Sequence, residues 1–286
     1  MRIVFYVSDK PRERQLGNKF CAGAMRHGHD AVVVSLNPNE PLVECDAACM
    51  VGVKSKALFA MVEASSATPV IFDKGYIRSR ADKSSTWEYW RVSVGDHQPT
   101  RTTLMRQKFP ADRFERLEVE VAPWRRFGIH IVIAGSSAKY HDFYDLPDPT
   151  TYWTGVVEQL KQVTDRPIVY RPKPSWRDAV PIPGTYYSHS KQSLSDTLLN
   201  AFATLTHGSN ACFESIIAGI PSVVLGDAVA APISSTTIED IEAPLFGKRE
   251  QWFHNLAYHQ WTEHEMQSGE AWTIIGPWIE SARKFK

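Results

Sequence analysis

Short apolar runs alternate with amphipathic stretches along the first part of the chain. The runs are rich in β-branched side chains, which is typical of strands buried on both faces of a sheet. Between them, apolar residues recur at helical spacing. The pattern predicts strands over 2–8, 31–36, 45–53 and 68–72 and helices over 15–27 and 56–65. Strands separated by helices indicate right-handed crossovers and a mainly parallel sheet covered by helices.

The same alternation restarts after the Pro-Trp-Arg-Arg segment at 123–126. It predicts strands over 129–134, 167–170, 203–206 and 220–225 and helices over 150–163, 194–200 and 211–218. After about residue 251 the chain is rich in Trp and His at helical spacing, and we expect it to pack back on the first unit. The predicted fold class is α/β with two Rossmann-like domains facing a cleft. The domains are expected over 1–126 plus about 255–286, and over 127–254.

Composition narrows the class of protein further. Of 286 residues, 43% are hydrophobic, enough to build sizeable cores and to exclude a disordered chain. The first apolar run is too short for a signal peptide, and no stretch approaches the ~20 apolar residues of a membrane helix. We therefore expect a cytoplasmic protein without a membrane partner. None of the four cysteines forms a C-x-x-C pair, so they are expected to be buried thiols.

Charge is balanced over the chain but not within it. Residues 1–126 carry 20 basic and 15 acidic side chains, a net +5, whereas residues 127–286 carry a net −5. Nine basic side chains between 78 and 116 lie close in sequence to Trp87, Tyr89 and Trp90. Such a mixture suits phosphate binding and base stacking. It is equally compatible with a solvated surface above aromatic anchors.

Polar segments follow the predicted strands, where open parallel sheets bind their ligands. His207-Gly208-Ser209-Asn210 opens a predicted helix whose N–H groups and dipole suit a phosphate, and Glu214 lies one turn further, suited to ribose hydroxyls. An N-capped helix with a solvated Glu214 is the structural alternative.

Two more loops are compatible with an anion. Arg171-Pro172-Lys173-Pro174 carries two cations on a loop stiffened by proline, although an exposed strand exit explains it as well. Gly135-Ser136-Ser137 follows the first strand of the second unit. The chain lacks the GxxxxGK[ST] and GxGxxG motifs, which argues against a P-loop kinase and a standard dinucleotide oxidoreductase.

Candidate bases lie in the first unit. Asp73 ends a predicted buried strand, so its carboxylate is expected to reach the cleft and act as general base. Asp96, His97 and Asp9 are alternative candidates for the general base. Any of these side chains can instead cap a helix or bind a neighbouring arginine. The histidines show no HExxH motif or metal-ligand spacing, so no metal site is predicted.

Three segments carry a resemblance to a known family. His207-Gly208-Ser209-Asn210 with Glu214, followed by Ala218-Gly219-Ile220-Pro221-Ser222-Val223, resembles the donor-binding helix and strand entry of GT-B glycosyltransferases. The turn Gly28-His29-Asp30-Ala31-Val32 is similar to the family's turn after the first helix. Arg171-Pro172-Lys173-Pro174 resembles the Arg-Pro-His-Pro loop of some nucleotide-sugar transferases, with Lys173 in place of histidine.

The resemblance implies a nucleotide-sugar co-substrate, a UDP-sugar, and no obligatory metal or other cofactor. The residues implied to bind the donor are Gly135, Ser136, Arg171, Lys173, His207, Gly208, Ser209, Asn210 and Glu214. The implied leaving group is a diphosphate that fixed cations and the helix at Ser209 stabilise.

The size and the basic, aromatic first half are also similar to virus-encoded transferases that glycosylate hydroxymethylated pyrimidines in DNA. This resemblance implies double-stranded DNA as partner, with the target base flipped into the cleft. The residues implied to contact the acceptor are Lys74, Tyr76, Arg78, Arg80 and Arg91. A polysaccharide, lipid carrier or small metabolite is the alternative acceptor, and a binding module without enzymatic activity is a third possibility.

Overall fold

The structure, a computed structural model, describes residues 1–37, 40–52, 56–77, 89–99, 101–188 and 191–284, with the backbone alone at 101–103. These residues form two compact units. Unit 1 contains Met1–Pro99, Phe109–Leu117 and His254–Lys286, and unit 2 contains Thr100–Lys108 and Glu118–Phe253.

Strands and helices alternate in both units. The strands are β1 (Arg2–Val7), β2 (Asp30–Ser35), β3 (Ala47–Val51), β4 (Thr68–Lys74), β5 (Tyr89–Val94), β6 (His130–Ala134), β7 (Ile168–Arg171), β8 (Tyr186–Tyr187), β9 (Ala201–Thr206), β10 (Ser222–Val224) and β11 (Gln260–Thr262). The helices are α1 (Pro11–Arg26), α2 (Lys56–Glu63), α3 (Arg101–Arg106), α4 (Asp112–Glu115), α5 (Ala138–Phe143), α6 (Pro149–Val163), α7 (Leu194–Leu198), α8 (Ala211–Ile217), α9 (Glu250–Ala257), α10 (Glu263–Ser268) and α11 (Trp272–Arg283).

The sheet of unit 1 has the order β11-β5-β4-β3-β1-β2. Strands β1 to β4 are parallel, whereas β5 pairs antiparallel with β4 and β11 pairs antiparallel with β5 at one end of the sheet. Strand β1 is buried on both faces, since Ile3 and Phe5 belong to one core and Val4 and Tyr6 to the other. That double burial explains why the sequence of β1 is a continuous apolar run rather than an alternating one.

Helices cover both faces of this sheet. Trp272, Ile275 and Ile279 of α11 share one core with β1 and α1, whereas Leu58 and Val62 of α2 pack in the other. The prediction that the C-terminal helix packs back on the first unit is confirmed. Its anchor is specific, because the Trp272 indole N–H donates to the carbonyl oxygen of Phe20 at 3.1 Å.

Strand β5 was not predicted from the apolar pattern. Its sequence, Tyr-Trp-Arg-Val-Ser-Val, lies in the basic, aromatic region, yet it pairs antiparallel with β4. Trp90 is 1% exposed and Arg91 is 2% exposed. At these two positions the aromatic and basic side chains therefore belong to the interior of unit 1 and not to a solvated surface.

Unit 2 has a five-stranded sheet with all strands parallel, in the order β10-β9-β6-β7-β8. Trp153, Val157 and Leu160 of α6 lie in the core with the side chains of β6 and β7. Helix α6 begins as its sequence predicts, since Asp148 accepts hydrogen bonds from the N–H groups of Thr150 and Thr151 and Pro149 occupies the first turn.

The four cysteines are free thiols, as predicted, and three of them are buried. Burial raises the pKa of Cys21 and of Cys212 to about 12, so both stay protonated at neutral pH. Among the described residues, no helix combines the length and apolar character needed to cross a bilayer.

Candidate functional site

The strands of unit 2 end in register, which brings four loops to one edge of its sheet. Ala134 pairs with Arg171 on one side and with Thr206 on the other, and Thr206 pairs with Val224. The segments that follow these residues are Gly135-Ser136, Pro172-Lys173, His207-Gly208-Ser209-Asn210 and Leu225-Gly226. All nine predicted donor-binding residues therefore lie at this edge or, for Glu214, one helical turn beyond it.

Hydrogen bonds within the loop after β9 hold it in shape. The Thr206 hydroxyl accepts from the N–H groups of Gly208 and Ser209 at 3.3 and 2.9 Å and donates to the Ala134 carbonyl oxygen. The Ala211 N–H donates to the Ser209 hydroxyl. We expected these N–H groups to be open to a phosphate, but the loop uses them itself. Side chains at this edge must therefore supply much of any anion binding.

His207 of this loop is half-buried. Its Nδ1 lies 2.7 Å from the Tyr152 hydroxyl, and its ring packs edge-on against the Tyr152 ring. Burial lowers the pKa of His207 and raises the pKa of Tyr152 to about 12. The pair is therefore neutral at physiological pH and acts as a hydrogen-bonding group rather than a cation.

Arg171 supplies a cation at the end of β7. It is 8% exposed, and its Nη1 donates to the Ser188 and Thr197 hydroxyls, both at 3.2 Å. Burial lowers the pKa of Arg171, whereas the charges of Glu214 and Asp196 favour its protonated form. Lys173, two residues further, is exposed. The loop thus presents one fixed and one solvent-facing cation.

Gly135 lies close to the ring of Tyr170. Its N–H donates to the Arg171 carbonyl oxygen at 2.9 Å, and a Cβ there would lie 3.0 Å from the Tyr170 ring. Ser136 beside it is 5% exposed. This loop is thus tightly packed against the end of β7.

In unit 1, Asp73 lies at the end of β4 beside Arg91 of β5. Asp73 Oδ2 and Arg91 Nη2 are 3.1 Å apart, and Asp73 Oδ1 accepts from the Lys74 N–H at 2.7 Å. The Asp73 side chain is 37% exposed while that of Arg91 is 3% exposed. A buried guanidinium therefore orients a carboxylate that reaches solvent.

The same guanidinium also lies beside two further predicted residues, Tyr76 and His97, and beside Gln98, which was not predicted. Arg91 Nη2 also lies 2.8 Å from His97 Nε2, and Nη1 donates to Gln98 Oε1 at 2.6 Å. The Tyr76 hydroxyl donates to the same Gln98 oxygen at 3.0 Å. Because a guanidinium only donates, His97 Nε2 accepts here and carries no proton. We call Asp73, Tyr76, Arg91, His97 and Gln98 the Arg91 cluster.

The remaining predicted residues fall outside this cluster. Lys74 and Asp96 are exposed, and Asp9, also exposed, follows β1. Arg78 and Arg80 lie outside the described residues.

Sequence reasoning missed Gln260, which holds the segment after Asp73. Gln260 is fully buried in β11, its Oε1 accepts from the N–H groups of Tyr76 and Ile77 at 3.0 and 2.9 Å, and its Nε2 donates to the Ile77 carbonyl oxygen. A single glutamine more than 180 residues away in sequence gives no local signal.

In the part of the chain that the structure describes, no three His, Cys, Asp or Glu side chains are grouped to hold a metal ion.

We compared the chain with known proteins to find similar folds. No family model and no curated protein matches the chain. Two solved structures of Thermosulfurimonas dismutans KpsC are similar over most of their length. The β-Kdo 2,7 transferase has a TM-score of 0.58 and 15% sequence identity, covering 96% of this chain and 99% of that one. The β-Kdo 2,4 transferase has a TM-score of 0.56 and 12% identity, covering 91% of each chain.

At this level of identity the likeness concerns the fold alone. It agrees with two α/β units built on largely parallel sheets, and the predicted GT-B-type fold class is confirmed.

Proposed function

We propose that this protein is a glycosyltransferase that moves a sugar from a nucleotide-sugar to a hydroxyl acceptor. The observation that carries the proposal is the common register of Ala134, Arg171, Thr206 and Val224, which gathers four ligand-compatible loops at one edge of unit 2. In the proposal, Lys173 and Arg171 balance the charge of the donor's phosphates and Glu214 accepts hydrogen bonds from the ribose. The similar KpsC structures, which are named as transferases, support the same assignment.

Unit 1 supplies the proposed general base. Of its candidates, Asp73 best combines solvent access with a fixed orientation, because Arg91 holds one carboxylate oxygen and the Lys74 N–H holds the other. In the proposed step, Asp73 takes the proton of the acceptor hydroxyl as its oxygen attacks the anomeric carbon, and the nucleotide leaves. His97 is the weaker candidate, since its Nε2 lone pair faces Arg91.

We propose a saccharide hydroxyl as the acceptor. The KpsC structures are named for transfer of Kdo, which supports this choice. A hydroxymethylated pyrimidine in double-stranded DNA is the second candidate, favoured by the net charge of +5 over residues 1–126. For that acceptor Arg91 is unsuited to direct contact, because it is buried in the Arg91 cluster, whereas Lys74 is exposed.

The test is an incubation of the protein with a pool of nucleotide-sugars and two acceptor classes, oligosaccharides and hydroxymethylated DNA, followed by mass analysis of the acceptors. The proposal expects a sugar increment on an oligosaccharide that Asp73→Asn abolishes without a change in fold. An increment on DNA alone contradicts the proposed acceptor. Stabilisation by nucleotide-sugars with neither transfer nor donor hydrolysis indicates a binding module instead.

A further inference from the structure

His207 has a different neighbour at each nitrogen of its ring. On one side, Nδ1 lies 2.7 Å from the hydroxyl oxygen of Tyr152 in α6. On the other side, Nε2 lies against Gly226, where a Cβ atom would collide with it, and bonds none of the residues that the structure describes. Gly226 belongs to the loop after β10, one of the four loops that gather at the edge of unit 2. The ring therefore joins α6 to that edge of the sheet.

The hydrogen bond between Tyr152 and His207 determines where the imidazole proton lies. Burial raises the pKa of Tyr152 to about 12, so the hydroxyl keeps its proton at neutral pH. Among the described residues, the acceptor for that proton is His207 Nδ1. If Nδ1 carried the imidazole proton, the hydroxyl proton would have no acceptor among these residues. Both groups are satisfied when Tyr152 donates to a bare Nδ1, which leaves the proton of the neutral ring on Nε2.

His141 is a second imidazole beside Tyr152, and it does not take the hydroxyl proton. The two ring centroids are 5.2 Å apart, with an interplanar angle of 76°. Nδ1 of His141 donates to the Pro147 carbonyl oxygen at 2.7 Å, and burial lowers the pKa of His141, so its Nε2 is bare. That Nε2 is buried and hydrogen-bonds none of the described residues, Tyr152 included. The Tyr152 hydroxyl is therefore left to His207.

We infer that Tyr152 is a positioning residue for His207. Its hydroxyl selects the neutral tautomer with the proton on Nε2, so that His207 presents a fixed, uncharged N–H group at the gathered loops. The inference rests on the proposed function, in which the ligand at these loops is the nucleotide-sugar. An added donor matters there because Thr206 already uses the N–H groups of Gly208 and Ser209. In the other tautomer Nε2 would offer a lone pair, which repels a phosphate oxygen.

The tautomer is measured on the full chain without ligand, by long-range proton–nitrogen NMR of the imidazole rings. The protonated and bare nitrogens of a neutral imidazole have well-separated shifts, so the spectrum shows which nitrogen carries the proton. His207→Gln identifies the His207 signals. Tyr152→Phe removes the hydroxyl and keeps the ring. Tyr170→Phe is the matched control, because the Tyr170 hydroxyl is buried in the same unit and bonds none of the described residues.

We expect the Nε2–H tautomer of His207 in the unaltered protein and in Tyr170→Phe, and a mixture of tautomers in Tyr152→Phe. A proton on Nδ1, or on both nitrogens, in the unaltered protein at neutral pH overturns the inference. An unchanged tautomer in Tyr152→Phe overturns the role of Tyr152.

Calorimetry with UDP, CDP, ADP, GDP and their monophosphates tests whether the tautomer affects binding. For the nucleotide that binds most tightly, Tyr152→Phe should raise the Kd about fivefold, as expected for one lost hydrogen bond, while Tyr170→Phe leaves it unchanged. The same change is then made in His207→Gln, whose amide nitrogen can reach the position of Nε2 but which has no atom to bond at Nδ1. In that background Tyr152→Phe should have no further effect on the Kd.

Three results of the binding experiment count against the inference. An unchanged Kd in Tyr152→Phe overturns it. An equal rise in Kd with and without His207→Gln shows that Tyr152 acts through packing and overturns it as well. Failure of every nucleotide to bind the unaltered protein overturns the proposed function and the ligand contact together. The tautomer, measured without ligand, distinguishes that outcome from a failure of Tyr152 to position His207.

Discussion

Arg91 and Asp73 form an ion pair in which one partner is buried and the other reaches solvent. The nitrogen and oxygen are 3.1 Å apart, and the side chains are 3% and 37% exposed. Because the guanidinium also bonds His97 and Gln98, its loss leaves several polar groups without their partner. We predict that Arg91→Met lowers the free energy of unfolding by about 3 to 5 kcal/mol, measured by urea denaturation.

Asp73→Asn is the matched variant of the same pair. It retains the shape of the side chain and one oxygen that accepts from Arg91, and it gives up the bond from the Lys74 N–H at an exposed position, so we expect a loss below about 2 kcal/mol. A stability loss as large as that of Arg91→Met would contradict the view that Asp73 is oriented for chemistry rather than for folding.

Gln260 is predicted to hold the segment after Asp73 in place. Gln260→Leu leaves the Tyr76 and Ile77 N–H groups and the Ile77 carbonyl oxygen without this partner. We expect a loss of about 3 to 5 kcal/mol in the free energy of unfolding and faster amide exchange over 75–77 by mass spectrometry. Gln15→Leu is the control, since Gln15 bonds Glu263 at an exposed position, and it should change stability by less than about 0.5 kcal/mol. Unchanged amide exchange over 75–77 in Gln260→Leu would contradict the role of Gln260 in holding this segment.

Two glycines of unit 2 should respond oppositely to alanine. Gly219 has φ +76°, and a Cβ there would lie 2.0 Å from the Pro123 carbonyl oxygen. Gly155 lies within α6, and a Cβ there meets nothing within 4 Å. We predict that Gly219→Ala destabilises by about 3 kcal/mol and that Gly155→Ala stabilises by about 0.5 to 1 kcal/mol. Thermal melts of both variants test this, and a neutral Gly219→Ala would contradict the described turn.

His259 should make stability depend on pH. Burial lowers the pKa of His259 from 6.5 to about 4, so the unfolded chain binds more protons than the folded chain between these values. Stability supplied by the neutral ring is complete above about pH 6.5 and is lost as the pH falls toward 4, by about 3 kcal/mol. The free energy of unfolding, measured by urea denaturation at several pH values, should fall less steeply with decreasing pH for His259→Gln than for the unaltered chain. An identical pH dependence of the free energy of unfolding in the two proteins would refute the prediction.

Local patterns were sufficient to predict most of the fold. Buried parallel strands have continuous apolar sequences, so β1 and β4 were predicted within about two residues of their ends. The edge strand β2 has no buried residue and was predicted from its run of β-branched side chains. Helix α1 begins four residues before its predicted start, at Pro11, because a proline at the first helical position is itself a start signal. Strand β5 was missed because its Arg91 and Ser93 are buried by tertiary partners, which no local pattern reveals.

The candidate site was likewise accessible to sequence analysis only in part. Residues at or just after the ends of strands, such as Asp73, Arg171 and His207, were chosen as candidates because parallel strands bring their ends to one edge. Their partners were not predicted, since the Arg91–Asp73 pair depends on antiparallel pairing of β4 with β5, and the hydrogen bond between Tyr152 and His207 joins residues 55 positions apart in sequence. The use of the loop amides by Thr206 was equally invisible in the sequence.

We propose that the protein transfers a sugar and that Asp73 is essential for the step. The most direct measurement follows release of the free nucleotide from a pool of nucleotide-sugars, with and without oligosaccharide acceptors, for the unaltered chain and for Asp73→Asn. We predict acceptor-dependent release that falls at least about a hundredfold in Asp73→Asn while donor binding persists. Acceptor-dependent release at an unchanged rate in the folded variant, or no release from any donor by the unaltered chain, would contradict it.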